Sequence, residues 1–192
     1  MKRRFGIETN YNGTIFRSRL EARWAAFWDL LHWEWEYEPI DLDGYIPDFV
    51  LKFYKPLLVE VKPEMDIVSL HQYTAKIENS GWAGEYLVVG ATLFNWDDDP
   101  FWQYPGIGLL AERYAVSNEL EFSRNGMVDS WLSLGKLFCC GLCGEYSVFH
   151  SEGWYGCRVG GCYDGDGYLS PAKNIKHLWK QAGNEVRWQK YK

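Results

Sequence analysis

No apolar run in this chain of 192 residues approaches the roughly 18 that a membrane-crossing helix requires, so no bilayer span is expected. The basic start Met1-Lys2-Arg3-Arg4 has no apolar stretch behind it, which argues against a secretory signal. Internal repeats, low-complexity tracts and heptad patterns are also lacking. A disulfide framework is disfavoured on another ground. There are only five cysteines, an odd number, all crowded between 139 and 162. That usage fits a reducing compartment, and a cytoplasmic protein is expected. Aromatic residues, by contrast, are abundant: they make up 18% of the chain and include 11 Trp, far more than a disordered segment carries. The length allows one domain with a buried core plus a small appendage.

The net charge of −6 hides a pattern. Residues 1–23 carry six basic and two acidic groups, residues 24–130 six basic and nineteen acidic, and residues 131–192 eight basic and five acidic. An acidic centre that gathers cations, flanked by basic arms, suits a polyanionic partner.

Gly13 to Phe16 reads as a turn and short strand. Ser18-Arg19-Leu20-Glu21 fits a capping box, and Leu20, Trp24, Phe27, Trp28 and Leu31 recur at helical spacing. Trp33, Trp35 and Tyr37 alternate as in a strand. Tyr45–Phe53 and Leu57–Val61 read as a hairpin, Ile67–Ser80 as a helix stopped by Gly81, and Tyr86–Ala91 as a buried strand. Beyond Phe94 the pattern weakens, with a loop at Asp97–Pro100, a short strand at Ile107–Leu110 and a turn at Asn125-Gly126. This order predicts an α/β fold, a mixed central sheet flanked by helices. Domain boundaries are expected at 1–131 and 132–192.

Charged groups are rarely built into runs as apolar as Leu57-Leu58-Val59 unless paired or bound to metal. Glu60 and Lys62 lie two apart on one strand and so share a face. The hairpin would return Asp48 to their end. Hydrolysis of a phosphodiester needs an activated water and neutralisation of phosphate charge, and a hard cation such as Mg²⁺ supplies both. Asp48 and Glu60 are the candidate ligands, with the Val61 carbonyl as a third. Lys62 is the candidate for orienting the water or stabilising the transition state.

Pro47-Asp48 followed by Glu60-Val61-Lys62 resembles the core of the PD-(D/E)XK nuclease superfamily, over roughly residues 11–91. Glu21 within Ser18-Arg19-Leu20-Glu21-Ala22-Arg23 matches the acidic residue that many members bring from their first helix. The run Trp35-Glu36-Tyr37-Glu38-Pro39 is similar to a subgroup of phage and mobile-element nucleases. The resemblance implies a restriction-endonuclease-like core, catalytic residues Glu21, Asp48, Glu60 and Lys62, and Mg²⁺ or Mn²⁺ as cofactor. Plainer roles stay open: Glu21 as the cap partner of Ser18, Asp48 as a turn acceptor, and Glu60 with Lys62 as a surface ion pair. Gln72 and Lys76 read as a solvated helix face that could also reach the site.

Cys140-Gly141-Leu142-Cys143 and Cys157-Arg158-Val159-Gly160-Gly161-Cys162 have the layout of a zinc ribbon, with four residues between the second pair where two are usual. A structural Zn²⁺ on Cys140, Cys143, Cys157 and Cys162 is expected. Cys139 could replace Cys140, and His150 could replace one thiolate. Ser170-Pro171 reads as the capped start of a basic C-terminal helix. Its Lys173, Lys176, Lys180, Arg187 and Lys190 are candidates for phosphate contacts. The expected function is a metal-dependent endonuclease acting on DNA. A branched-DNA (Holliday junction) resolvase, an RNase of the same fold, and a non-catalytic nucleic-acid-binding or inhibitor protein are the alternatives. Cleavage of both strands would call for a homodimer.

Overall fold

Asn12 and Gly13, at φ of 48° and 85°, reverse the chain between β1 (Thr9–Tyr11) and β2 (Thr14–Phe16), as a tight hairpin requires. The structure is a computed structural model and describes residues 6–94, 104–113, 130–151, 156–162 and 169–187. Helix α1 (Arg19–Leu30) starts where the Ser18 side chain accepts the Glu21 N–H, satisfying an otherwise orphaned donor. Its apolar stripe buries Ala22, Trp24, Ala25, Ala26, Phe27 and Trp28.

Strands β3 (Trp35–Tyr37), β4 (Phe49–Leu51) and β5 (Leu57–Val61) then run antiparallel. The single helix expected over Ile67–Ser80 is broken into α2 (Ile67–Leu70), a 3-10 turn (His71–Tyr73) and α3 (Thr74–Glu78). Hydroxyls of Thr74 and Ser80 donate to the carbonyls three residues back, competing with regular helix geometry. Strand β6 (Tyr86–Phe94) lies parallel to β5, and β7 (Gly106–Arg113) and β8 (Ser130–Cys140) continue antiparallel. Strands β9 (Tyr146–His150) and β10 (Leu169–Pro171) both pair with β8, and α4 (Ile175–Glu185) follows.

The result is a mixed eight-stranded sheet in the order β3-β4-β5-β6-β7-β8-β10, with β9 also on β8. Leu57, Val59 and Val61 of β5 face the core that holds Trp24, Phe27, Ile175 and Trp179 from α1 and α4. Leu58 points the other way, into a cluster with Tyr45, Leu70 and Ile77. Both faces of β5 are therefore covered, which is why it reads as an unbroken apolar run. The Trp24 and Trp179 rings meet at 4.4 Å, and the Arg23 guanidinium lies 3.7 Å from the Trp179 ring centroid.

Two expectations change here. The boundary placed between 131 and 132 falls inside β8, whose pairing with β7 carries the sheet straight across it. Ser170 and Pro171 do not begin a helix. They belong to β10, an edge strand where proline's missing N–H is tolerated, and α4 starts only after Asn174. Asp97–Pro100, Asn125-Gly126 and Lys190 lie outside the described residues.

Candidate active site and metal site

Asp48 sits one residue before the Phe49–Val59 pair of the β4–β5 ladder, so the antiparallel register brings it opposite Glu60. Both are buried, at 4% and 5% exposure. Each Asp48 oxygen has a donor: Oδ2 accepts the Val61 N–H at 2.7 Å, and Oδ1 accepts Arg17 Nη2 at 2.7 Å. Glu60 Oε2 accepts the Tyr45 hydroxyl at 2.8 Å, and Oε1 takes the Lys62 ammonium. That ammonium is also 3.8 Å from Asp48 Oδ2, so it bridges the two carboxylates.

Burial and the neighbouring Glu60 charge push the Asp48 carboxyl up to about 7, against the opposing pull of Lys62 and the Val61 N–H. Burial and the same Glu60 charge raise the Tyr45 hydroxyl, so Tyr45 acts as a donor at neutral pH.

Glu21 is buried close by but is held separately. Its Oε2 accepts the Tyr37 hydroxyl at 2.7 Å and its Oε1 accepts the Ser18 hydroxyl at 2.8 Å. Asp48, Glu60 and Lys62 thus converge, while Glu21 does not join a common ligand cluster with them. Val61 contributes its N–H to the site through Asp48. Gln72, in the 3-10 turn, is turned back to α2, donating to the Ser69 carbonyl. Lys76 lies 4.8 Å over the ring of Tyr45, the residue whose hydroxyl donates to Glu60. Arg17 and the two tyrosines, 37 and 45, were not legible as site residues. Arg17 merely precedes a helix cap, Tyr37 sits in an alternating run that reads as a strand, and Tyr45 reads only as the start of the next strand.

Two buried carboxylates on adjoining strands are a donor set that suits a hard divalent cation. All four of their oxygens already have a protein donor, and each keeps a second lone pair, so a cation here either binds beside those donors or displaces one of the two side-chain cations.

The second site is built from sulfur. Among the described residues, the Sγ atoms of Cys140, Cys143, Cys157 and Cys162 all lie within 4.8 Å of one another and could hold a metal ion. Cys143 and Cys157 are 3.8 Å apart. Four thiolates at metal–sulfur distances of about 2.3 Å form a tetrahedron with edges of about 3.8 Å, which is the spacing of the Cys143–Cys157 pair. Burial pushes the Cys143 thiol up to about 12. At Cys140 burial acts the same way, but N–H groups of Cys143 and Leu142 outweigh it and the thiol is lowered. Without a cation, only part of such a set can ionise together.

Cys139 points elsewhere, its thiol on the Gly144 carbonyl at 3.3 Å. His150 pairs with Gly135 at the far end of β9 and is not in the cluster. The long second knuckle has a structural use: its Arg158 is 5% exposed and reaches Glu85 at 2.8 Å, Glu112, and the Val148 carbonyl at 2.9 Å. The Arg158 carbonyl accepts the Tyr54 N–H in the β4–β5 turn. Gly161, at φ 65°, lies so close that an added Cβ would stand 2.8 Å from the Tyr54 ring. The cysteine site thus braces one end of the hairpin whose other end carries Asp48 and Glu60.

Lys176 and Lys180 are exposed and one helical turn apart on α4. Lys173 and Arg187 are exposed just outside that helix. No helix among the described residues is long and apolar enough to cross a membrane. Comparison with family models, curated proteins and solved structures found no match, and the chemistry therefore rests on the geometry itself.

Proposed function

We propose that this protein is a metal-dependent endonuclease of the PD-(D/E)XK type that hydrolyses DNA phosphodiester bonds. The observation that carries the reading is the convergence of buried Asp48 and Glu60 with the bridging Lys62 at one end of the β4–β5 hairpin. Support also comes from the chain order, in which a helix bearing Glu21 precedes three antiparallel strands, short helices and a strand parallel to β5. That order is what a restriction-endonuclease-like core would need.

Asp48 and Glu60, with the Val61 carbonyl, would hold Mg²⁺ or Mn²⁺, which when bound supplies an acidified water and neutralises phosphate charge. Lys62 then has one role, placing its ammonium between the carboxylates and the reacting phosphate, where it holds the water or the developing negative charge. Glu21 orders the rim through Tyr37 and Ser18 and takes part through a water. Tyr45 fixes the rotamer of Glu60. Structural Zn²⁺ on the four cysteines leaves no open coordination position, so the sulfur site holds the hairpin and does no chemistry. Lys173, Lys176, Lys180 and Arg187 present positive charge to the nucleic-acid backbone.

One observation favours a second reading. Every oxygen of Asp48 and Glu60 is matched by a protein donor, as in a non-catalytic nucleic-acid-binding or inhibitor protein that keeps the fold. Incubation with duplex, single-stranded and four-way DNA and with RNA, with Mg²⁺ or with a chelator, separates the two. Endonuclease action predicts Mg²⁺-dependent cutting of DNA. Cutting of the four-way junction alone, or of RNA alone, would assign a resolvase or an RNase. Binding without cutting of any substrate would favour the second reading.

A further inference from the structure

The two cations of the carboxylate centre are not equivalent. Lys62 is 21% exposed in its side chain, lies between both acids and has the Tyr73 ring 5.4 Å away. Arg17 is 59% exposed, although its partner Asp48 is only 5% exposed. A single nitrogen, Nη2, serves both Asp48 Oδ1 at 2.7 Å and Glu38 Oε1 at 2.8 Å. The Tyr37 hydroxyl also meets the Arg17 side chain, and the part of the guanidinium fork that these partners leave faces solvent. The Arg17 backbone N–H donates to the Tyr37 hydroxyl, whose own proton goes to Glu21, which fixes where the residue stands.

Water screens the exposed end of the Arg17 pair, and a long exposed side chain loses freedom in making it. A divalent cation on two buried carboxylates carries twice the charge and loses no side-chain freedom. Of the two cations, Arg17 is the more exposed and so the one placed to turn outward. An arginine released there keeps a planar donor fork at the rim, a geometry that matches phosphate oxygens.

We infer that Arg17 is the exchangeable counter-ion of the Asp48–Glu60 centre: it neutralises Asp48 until a divalent cation binds, then turns its guanidinium to a substrate phosphate. The inference rests on the proposed reading of that centre as a cation site. Arg17 is in this sense a positioning and phosphate-contacting residue, coupling metal binding to substrate binding.

Calorimetric titration of the zinc-loaded protein with Mn²⁺ tests the first half. Arg17→Ala and Arg17→Gln are each expected to bind Mn²⁺ about three- to tenfold more tightly than the parent. Asp48→Asn should abolish that binding. DNA binding in Ca²⁺, measured on duplex, single-stranded and four-way oligonucleotides over a range of salt, tests the second half. Both Arg17 variants should bind more weakly, with a salt slope reduced by about one. Unchanged Mn²⁺ affinity, or unchanged DNA affinity and salt slope, overturns the inference while leaving the centre standing. A parent with no Mn²⁺ binding that Asp48→Asn removes overturns the cation centre itself, and Arg17's role with it.

Discussion

Arg158 and Glu112 form an ion pair inside the protein, with side chains only 4% and 2% exposed. The arginine comes from the second cysteine knuckle and the glutamate from β7. Glu85 and the Val148 carbonyl also accept from its guanidinium. Removing one member of a buried pair strands the other without water, at a cost of about 3–5 kcal/mol. Arg158→Met should lower unfolding free energy by that amount in urea titration, and Arg158→Met/Glu112→Gln should recover part of it. A loss of under about 1 kcal/mol for the single variant would show the pair to be structurally idle.

The cysteine cluster should carry metal and hold the fold. One zinc per chain is expected by elemental analysis. Stripping it should lower Tm by about 10 °C or more, given about 2–4 °C per kcal/mol for a chain of this size and several kcal/mol from a structural zinc. Cys143→Ser should do the same. Cys139→Ser should leave zinc content intact, since its thiol lies outside the cluster.

Asp48 makes a prediction about pH. Its folded-state value is raised to about 7 from an ordinary 3.8, so the native state holds a proton that the unfolded chain releases. Stability of the cation-free protein should therefore fall as pH rises from about 4 to about 7, then level off. Asp48→Asn should flatten that decline in denaturant titrations at a series of pH values. A parent whose stability rises across the same window would contradict the burial account.

The basic C-terminal segment separates into a structural and an electrostatic part. Ile175, Trp179 and Ala182 are buried against α1, so deleting α4 removes core. Lys176→Gln/Lys180→Gln changes only exposed charge. The double variant should keep the parent Tm, weaken DNA binding, and reduce the salt slope by up to about two. An unchanged slope would take these lysines out of the interface.

The Ser18 cap, the Trp24–Trp28 stripe and the β4–β5 hairpin were legible in the sequence because each depends on neighbours within a few residues. The cysteine set was legible from spacing, though not the brace that Arg158 forms with Glu85 and Glu112, 73 and 46 residues away. Ser170-Pro171 was misread because a cap followed by proline looks the same in an edge strand, and only the length of β8 decides between them. The boundary near 131 failed for the same reason: long-range pairing, invisible to local pattern, runs through it. Arg17's partner Asp48 is 31 residues away, and nothing in the run Phe16-Arg17-Ser18 announces it.

The central claim is that Asp48, Glu60 and Lys62 form a hydrolytic centre. Its most direct test is the rate of DNA cleavage in Mg²⁺ by the parent, Asp48→Ala and Lys62→Ala, each confirmed folded and zinc-loaded. The account predicts cleavage by the parent and a loss of about 10²-fold or more in either variant. Variants that cut DNA as fast as the parent would contradict it.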